Sequence, residues 1–266
     1  IFPSRLFAGV AQRLTILLLN NQLPGQKFFL TKYYRWLENE RQHLINLLSY
    51  HLNNKYISSG WIGRLDTAIS LHILDKLSVH ERIKKYLVKS SENPIYIHRI
   101  INNFIKAIDF EPYFKKADGT ITHSDDFKIL HCKSQYIKIM ICLFNSNLFY
   151  FYWRIHGDGF HCGFKDLEKF PCNVDKISNE MREKLAILSD KLNQDLRSNS
   201  VIRRRKQVKT GEVELQTFFI SKSKSIIDEI DKILADYYGF TDEELDFIIN
   251  YDIKYRMGYF SYSGST

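Results

Sequence analysis

The densest charge cluster of the sequence lies between Arg203 and Lys209, where five of seven residues are basic. Its charged members are Arg203, Arg204, Arg205, Lys206 and Lys209. Cations at this spacing repel each other unless water or an anion neutralises them. Binding to a DNA backbone neutralises such charges and releases counterions. We therefore expect these residues to contact phosphates, and the alternative interpretation is a solvated loop between a helix and a strand.

Two further segments, residues 96–106 and 152–165, combine aromatic residues with side chains that recognise base edges or phosphates. The second surrounds a glycine turn, where the backbone can approach a ligand closely, and its arginine is of the type that reads guanine. The alternative interpretations are exposed faces of ordinary elements for the first segment and core-packed strands for the second. The predicted DNA-groove contacts are Arg99, Lys106, Arg154, His156, His161 and Lys165.

Tyr33 and Tyr34 are candidates for stacking on a base. Enzymes that act on a DNA base flip it out of the helix, and a flipped base stacks on aromatic side chains. The alternative is that both tyrosines pack in a core.

Signatures of catalysis are missing from the sequence. It contains no P-loop, no G-x-G-x-x-G, no H-E-x-x-H and no G-x-S-x-G. An Asn-Pro-Pro-aromatic stretch for adenine methylation is also absent. Asp125 and Asp126 precede Lys128, but so short a nuclease-like pattern arises by chance. We therefore expect no catalytic residue and no cofactor site within these residues.

The four cysteines, Cys132, Cys142, Cys162 and Cys172, lack the C-x-x-C spacing of zinc and redox sites. We interpret them as free thiols in a reducing cytoplasm and predict no metal site.

Composition agrees with a folded protein that binds an acidic partner. The 266 residues are 44% hydrophobic and carry a net charge of +8. No apolar run has the length of a membrane span, so we expect no membrane partner. Residues 228–252 are acidic. An alternative function of the chain is therefore docking on another protein or subunit through these residues.

Hydrophobic periodicity and turn residues predict an alternation of short strands and helices. The predicted strands are residues 10–19, 27–36, 95–101, 105–110 and 148–155. The predicted helices are residues 38–51, 65–87, 133–144, 175–197, 225–237 and 241–251. Gly239 is predicted to end one helix, and Thr241 with Glu244 forms a capping box for the next. The fold class expected is α+β, with small mixed sheets and packed helices.

Four segments resemble the C-terminal part of bacterial adenine-specific DNA methyltransferases, including the type II G restriction–modification enzymes. Residues 221–258 are similar to the C-terminal segment of these proteins and read SKSKSIIDEIDKILADYYGFTDEELDFIINYDIKYRMG. Residues 3–18 (PSRLFAGVAQRLTILL) and 32–41 (KYYRWLENER) resemble the methyltransferase fold after its catalytic motif. Residues 143–171 resemble target recognition domains, including those of type I specificity subunits.

The resemblance implies that residues 1–60 are the tail of an α/β methyltransferase fold and that residues 61–266 form the target recognition domain. In this family, an upstream domain binds S-adenosylmethionine and carries the Asn/Asp-Pro-Pro-Tyr motif, and both features are missing here. The implied function is recognition of double-stranded DNA, which positions the target adenine for that upstream domain in the bacterial cytoplasm. The alternatives are a docking module of the same system and a divergent complete methyltransferase or nuclease.

Overall fold

The computed structural model describes residues 28–52, 63–65, 67–207 and 211–257, together with Ile16 and Leu18. Most of the strand predicted over residues 10–19 lies outside this part of the chain. The protein forms two compact units. The first holds the described residues up to His72 and those from Asp252 onward, and the second is Ile73–Tyr251.

The described residues are 49% helical and 18% extended, and the strands form small separate sheets, so the predicted α+β class is confirmed. The strands are β1 (Phe29–Leu30), β2 (His51–Leu52), β3 (Ile95–His98), β4 (Ala107–Ile108), β5 (Phe114–Lys115), β6 (Phe127–Leu130), β7 (Ser200–Gln207) and β8 (Gly211–Phe218). The α-helices are α1 (Ala68–Ser78), α2 (Ile137–Asn145), α3 (Asn147–His156), α4 (Phe164–Glu168), α5 (Asn179–Ser198), α6 (Lys224–Tyr238), α7 (Asp242–Asn250) and α8 (Ile253–Arg256). Short 3-10 helices span Glu38–Leu47, Ile83–Tyr86, Ser134–Tyr136, Val174–Lys176 and Ile220–Ser223.

In the first unit, β1 pairs antiparallel with β2. The strand predicted over residues 27–36 is therefore reduced to two residues. The helix predicted over residues 38–51 is a 3-10 helix that ends at Leu47. Only Leu44 is buried in that helix, so it lacks the continuous apolar stripe that stabilises an α-helix.

Helices α2 and α3 form the core of the second unit. The prediction of a strand over residues 148–155 is wrong, because this segment lies in α3. Every residue of α3 from Asn147 to Ile155 is buried. A segment buried on all sides shows no hydrophobic periodicity, and its aromatic residues then favour a strand assignment. Ser146 caps the helix by accepting a hydrogen bond from Phe149 N at 2.9 Å.

Helices α5, α6 and α7 pack around this core and confirm the three C-terminal helix predictions within a few residues. Their ends follow local capping chemistry. Gly239 ends α6 with a left-handed φ of 66°, and the Thr241–Glu244 capping box begins α7 as predicted.

The second unit also contains two antiparallel three-stranded sheets, with strand orders β4-β3-β6 and β5-β8-β7. Ser200–Gln207 forms β7, so residues 203–206 lie in a strand, contrary to the alternative interpretation as a loop. Within the described sheet, β7 is an edge strand that pairs only with β8. Lys209 lies outside the described residues.

Candidate nucleic-acid interface

The basic cluster lies on strand β7 and its partner β8, which we call the ribbon, and β5 joins β8 at Glu214 and Leu215. The register is continuous over eight pairs, from Ser200 opposite Phe218 to Gln207 opposite Gly211. Since side chains alternate along a strand, Arg203 and Arg205 share one face of the ribbon, and Arg204 and Lys206 share the other. All four side chains are exposed.

The face with Arg204 and Lys206 is electrostatically compensated. Glu214 lies opposite Arg204, and its carboxylate is 3.2 Å from Arg204 Nε and 3.7 Å from Lys115 Nζ. The Tyr113 hydroxyl donates to the same carboxylate at 3.2 Å. This hydrogen bond and the two cations hold the pKa of Glu214 below its usual value. Glu212 lies opposite Lys206 and adds a second acid to this face.

We call the opposite side of the ribbon the arginine face. Here Arg203 lies opposite Leu215, and Arg205 lies opposite Val213. Neither arginine forms an ion pair with any carboxylate among the described residues. The Arg203 guanidinium lies 5.2 Å from the centroid of the Phe219 ring. Two arginines on this face are therefore left without a neighbouring acid.

A cleft of about 90 Å³ lies between the two sheets of the second unit. Its polar lining includes His98, Lys106, Tyr113, Ser124, Asp126 and Gln216. Burial lowers the pKa of Lys106 to about 8, partly opposed by Asp126. Burial also lowers the pKa of His98 to about 4, so this imidazole is neutral near pH 7.

The remaining residues predicted to contact a DNA groove lie on different elements and do not form one surface. Arg154 is 3% exposed on the buried helix α3, with its guanidinium 6.0 Å from the Tyr150 ring centroid. We therefore leave Arg154 out of the candidate surface. The imidazole of His156 stacks on Tyr152 with centroids 4.0 Å apart.

Three other candidates lie near the surface. Arg99 is partly exposed and lies 3.5 Å from Asp126 Oδ1. His161 is exposed and lies 3.1 Å from Asp158 Oδ2. Lys165 is exposed on α4. None of the three lies on the ribbon.

The two candidate stacking tyrosines belong to the first unit. Tyr33 lies under the guanidinium of Arg64, 5.8 Å from its ring centroid. The Tyr34 hydroxyl accepts a hydrogen bond from Ser49 N at 2.7 Å. Both side chains are half-buried, and both have neighbours that account for their position.

Two carboxylates of the acidic stretch, residues 228–252, form contacts within the second unit. Asp231 accepts hydrogen bonds from the backbone N–H groups of Asn147 and Leu148, both at 3.0 Å. Glu244 pairs with Lys76 at 2.6 Å. These two acids stabilise the second unit and are removed from the surface proposed for docking.

Strand pairing brings Tyr113, Lys115 and Glu214 to the ribbon, and none of these three is among the residues predicted from the sequence to bind DNA. Lys115 and Glu214 are about a hundred positions apart, and only the strand register relates them. The alternation of Glu212, Val213, Glu214 and Leu215 was the available signal, because it indicates a strand with one acidic face.

Among the described residues, no group of three or more His, Cys, Asp or Glu side chains is placed to hold a metal ion. Burial raises the pKa of the Cys132 thiol to about 11. None of the described helices combines the length and the apolar character needed to cross a membrane. Comparison of the chain with protein-family models, curated proteins and solved structures gives no match.

Proposed function

We propose that the chain binds double-stranded DNA through the arginine face of the β7–β8 ribbon. One observation carries the proposal: Arg203 and Arg205 are exposed on one face of a continuous ribbon, and neither has an acidic partner among the described residues. An arginine in that state keeps its full charge for an external anion.

The shape of the ribbon supports a DNA partner. The major groove of B-DNA admits a two-stranded β-ribbon. Arginine binds phosphate bidentately and also reads guanine through its O6 and N7 atoms. The exposed arginine side chains of the ribbon thus have the chemistry needed for a groove contact.

The broader role proposed is target recognition in an adenine-specific DNA methyltransferase or restriction–modification enzyme. The support is the resemblance of residues 3–18, 32–41, 143–171 and 221–258 to that family. In this proposal an upstream domain of the same protein binds S-adenosylmethionine, and the ribbon sets which adenine that domain receives. Transfer of labelled methyl groups from S-adenosylmethionine to DNA by the full-length protein tests this role.

Two double variants of equal charge test the interface. R203A/R205A removes the arginine face, and R204A/K206A removes the compensated face. Fluorescence anisotropy with mixed-sequence duplex DNA between about 50 and 200 mM salt gives the dependence of log K on log salt. This slope is negative, and each lost phosphate contact reduces its magnitude by about 0.9.

We expect R203A/R205A to lower the slope by up to about 1.8 if both arginines contact phosphates. The control R204A/K206A removes the same net charge from the same hairpin, and we expect it to lower the slope by clearly less. Equal effects of the two variants would mean that net charge alone drives binding. Absence of salt-dependent binding by the folded wild type would refute the proposed function.

A further inference from the structure

The cleft between the two sheets contains a lysine, Lys106, that has no hydrogen-bonded or ion-paired acid among the described residues. Lys106 is half-buried. Its ammonium group forms no hydrogen bond or ion pair with any described side chain. Burying an ammonium group without a counter-ion is costly. A cation held in this way is more stable when an external anion enters the cleft.

The charges around Lys106 define which anion fits. Asp126 lines the cleft, but its carboxylate pairs with Arg99. His98 is neutral near pH 7, because burial lowers its pKa to about 4. Lys106, Arg99 and Asp126 together thus carry a net charge of +1. A group with one negative charge neutralises this set, and a DNA phosphodiester carries one.

The size of the cleft limits the ligand to a small group. Its volume is about 90 Å³, and several water molecules or a small anion such as phosphate fit this space. Apolar walls from Phe127 and Phe218 strengthen the attraction between a cation and an anion, because they lower the local dielectric.

The cleft borders strand β8 of the basic ribbon. Residues 215–218 of β8 form one of its walls, and the same residues pair with residues 200–203 of β7. Neighbouring strands are about 4.8 Å apart. Leu215 pairs with Arg203 and also lines the cleft, so the ribbon contact and the backbone contact proposed below share strand β8.

We propose that the Lys106 cleft binds a single phosphate group of the DNA backbone, an inference that rests on the proposed function of the ribbon. The cleft then fixes the position of the duplex, and it does so equally for all sequences. Base reading is left to the ribbon.

The experiment follows Lys106 directly in the intact chain. Lysine is labelled with ¹³C, and the Cε resonance of Lys106 is identified by its loss in K106Q. Mixed-sequence duplex DNA or inorganic phosphate is then added to the wild type. The salt dependence of DNA binding is measured for the wild type, for K106Q and for K191Q, since Lys191 is an exposed lysine on α5.

We expect duplex DNA to shift the Lys106 resonance. K106Q should lower the salt slope by about 1 and weaken binding uniformly across sequences, whereas K191Q should leave the slope unchanged. If the wild type binds DNA while the resonance and the K106Q slope stay unchanged, the inference is wrong and the proposed function stands. If only inorganic phosphate shifts the resonance and no DNA binds, the site is one for free phosphate, and both the DNA assignment and the proposed function fail. If neither ligand has an effect, both are overturned.

Discussion

Replacing Asn145 isolates the contribution of one buried side-chain amide to the second unit. Asn145 is 2% exposed at the end of α2. Its Nδ2 donates to the Ala107 carbonyl at 2.7 Å, and its Oδ1 accepts from Ala107 N at 3.1 Å. Because His98 N donates to Lys106 O, Ala107 and Ile97 form a non-hydrogen-bonded pair of the ladder. Both backbone groups of Ala107 therefore point away from β3, and Asn145 pairs with them.

The magnitude follows from the two groups left behind. Ala107 is fully buried, so loss of Asn145 leaves a buried N–H and a buried C=O without their partner. Each such group costs about 1 to 3 kcal/mol. We expect Asn145→Ala to lower the free energy of unfolding by about 2 to 6 kcal/mol. Asn145→Leu fills the space with apolar atoms but restores neither hydrogen bond, and we expect a loss of similar size.

Urea unfolding followed by tryptophan fluorescence measures this loss, because Trp153 is 1% exposed within the second unit. Exchange of the Ala107 amide hydrogen gives a local measurement, and its protection should fall in both variants. The control is Asn250→Ala, which removes an exposed hydrogen bond to Asp246 and should cost less than about 0.5 kcal/mol. Wild-type stability of Asn145→Leu, with unchanged protection of Ala107, would refute the reasoning.

Two further outcomes concern a helix end and a buried histidine. Gly239→Ala should lower the free energy of unfolding by about 1 kcal/mol, because φ is 66° at this position and a β-carbon strains that conformation. The strain is expected even though the space around Gly239 is open. Thermal unfolding measures the loss of stability, and an unchanged Tm contradicts the prediction. His98 has a pKa lowered by burial from 6.5 to about 4, so the unfolded chain binds more protons than the folded chain between these values. The wild type should therefore lose up to about 3 kcal/mol of stability as the pH falls from 6.5 toward 4, and urea titrations should show this loss disappearing in His98→Gln.

The helices that sequence analysis predicts well are those with one apolar face. In α5, Leu185, Leu192 and Leu196 are buried while the opposite face is charged, and its predicted bounds differ from the observed ones by a few residues. Local capping residues are also readable, since Gly239, Thr241 and Glu244 lie within a few positions of each other. Such signals depend on neighbours in sequence and need no tertiary information.

The features that the sequence does not predict depend on residues that are far apart in the chain. Helix α3 is buried on all sides, and part of its stability comes from Asp231, which lies more than eighty residues away and caps its first turn. The basic character of Arg154 and the nearby glycine turn predict a DNA contact, but neither signal shows that α3 buries this side chain. The Lys106 cleft likewise joins residues from both sheets, so its lining cannot be read from spacing.

Strand register determines which ribbon face has arginines without opposing acids, and the proposed DNA contact depends on that face. Acids and apolar residues alternate along β8, with Glu212 and Glu214 on one face and Val213 and Leu215 on the other. A slip of one residue would place Arg203 opposite Glu214 and Arg205 opposite Glu212, so each arginine would face an acid while the composition stayed the same. Gly211 opposes such a slip, because it begins β8 with a φ of 79°. A β-carbon at this position would also lie 3.0 Å from Ala117 Cβ. The proposed DNA-binding face is thus a consequence of strand pairing.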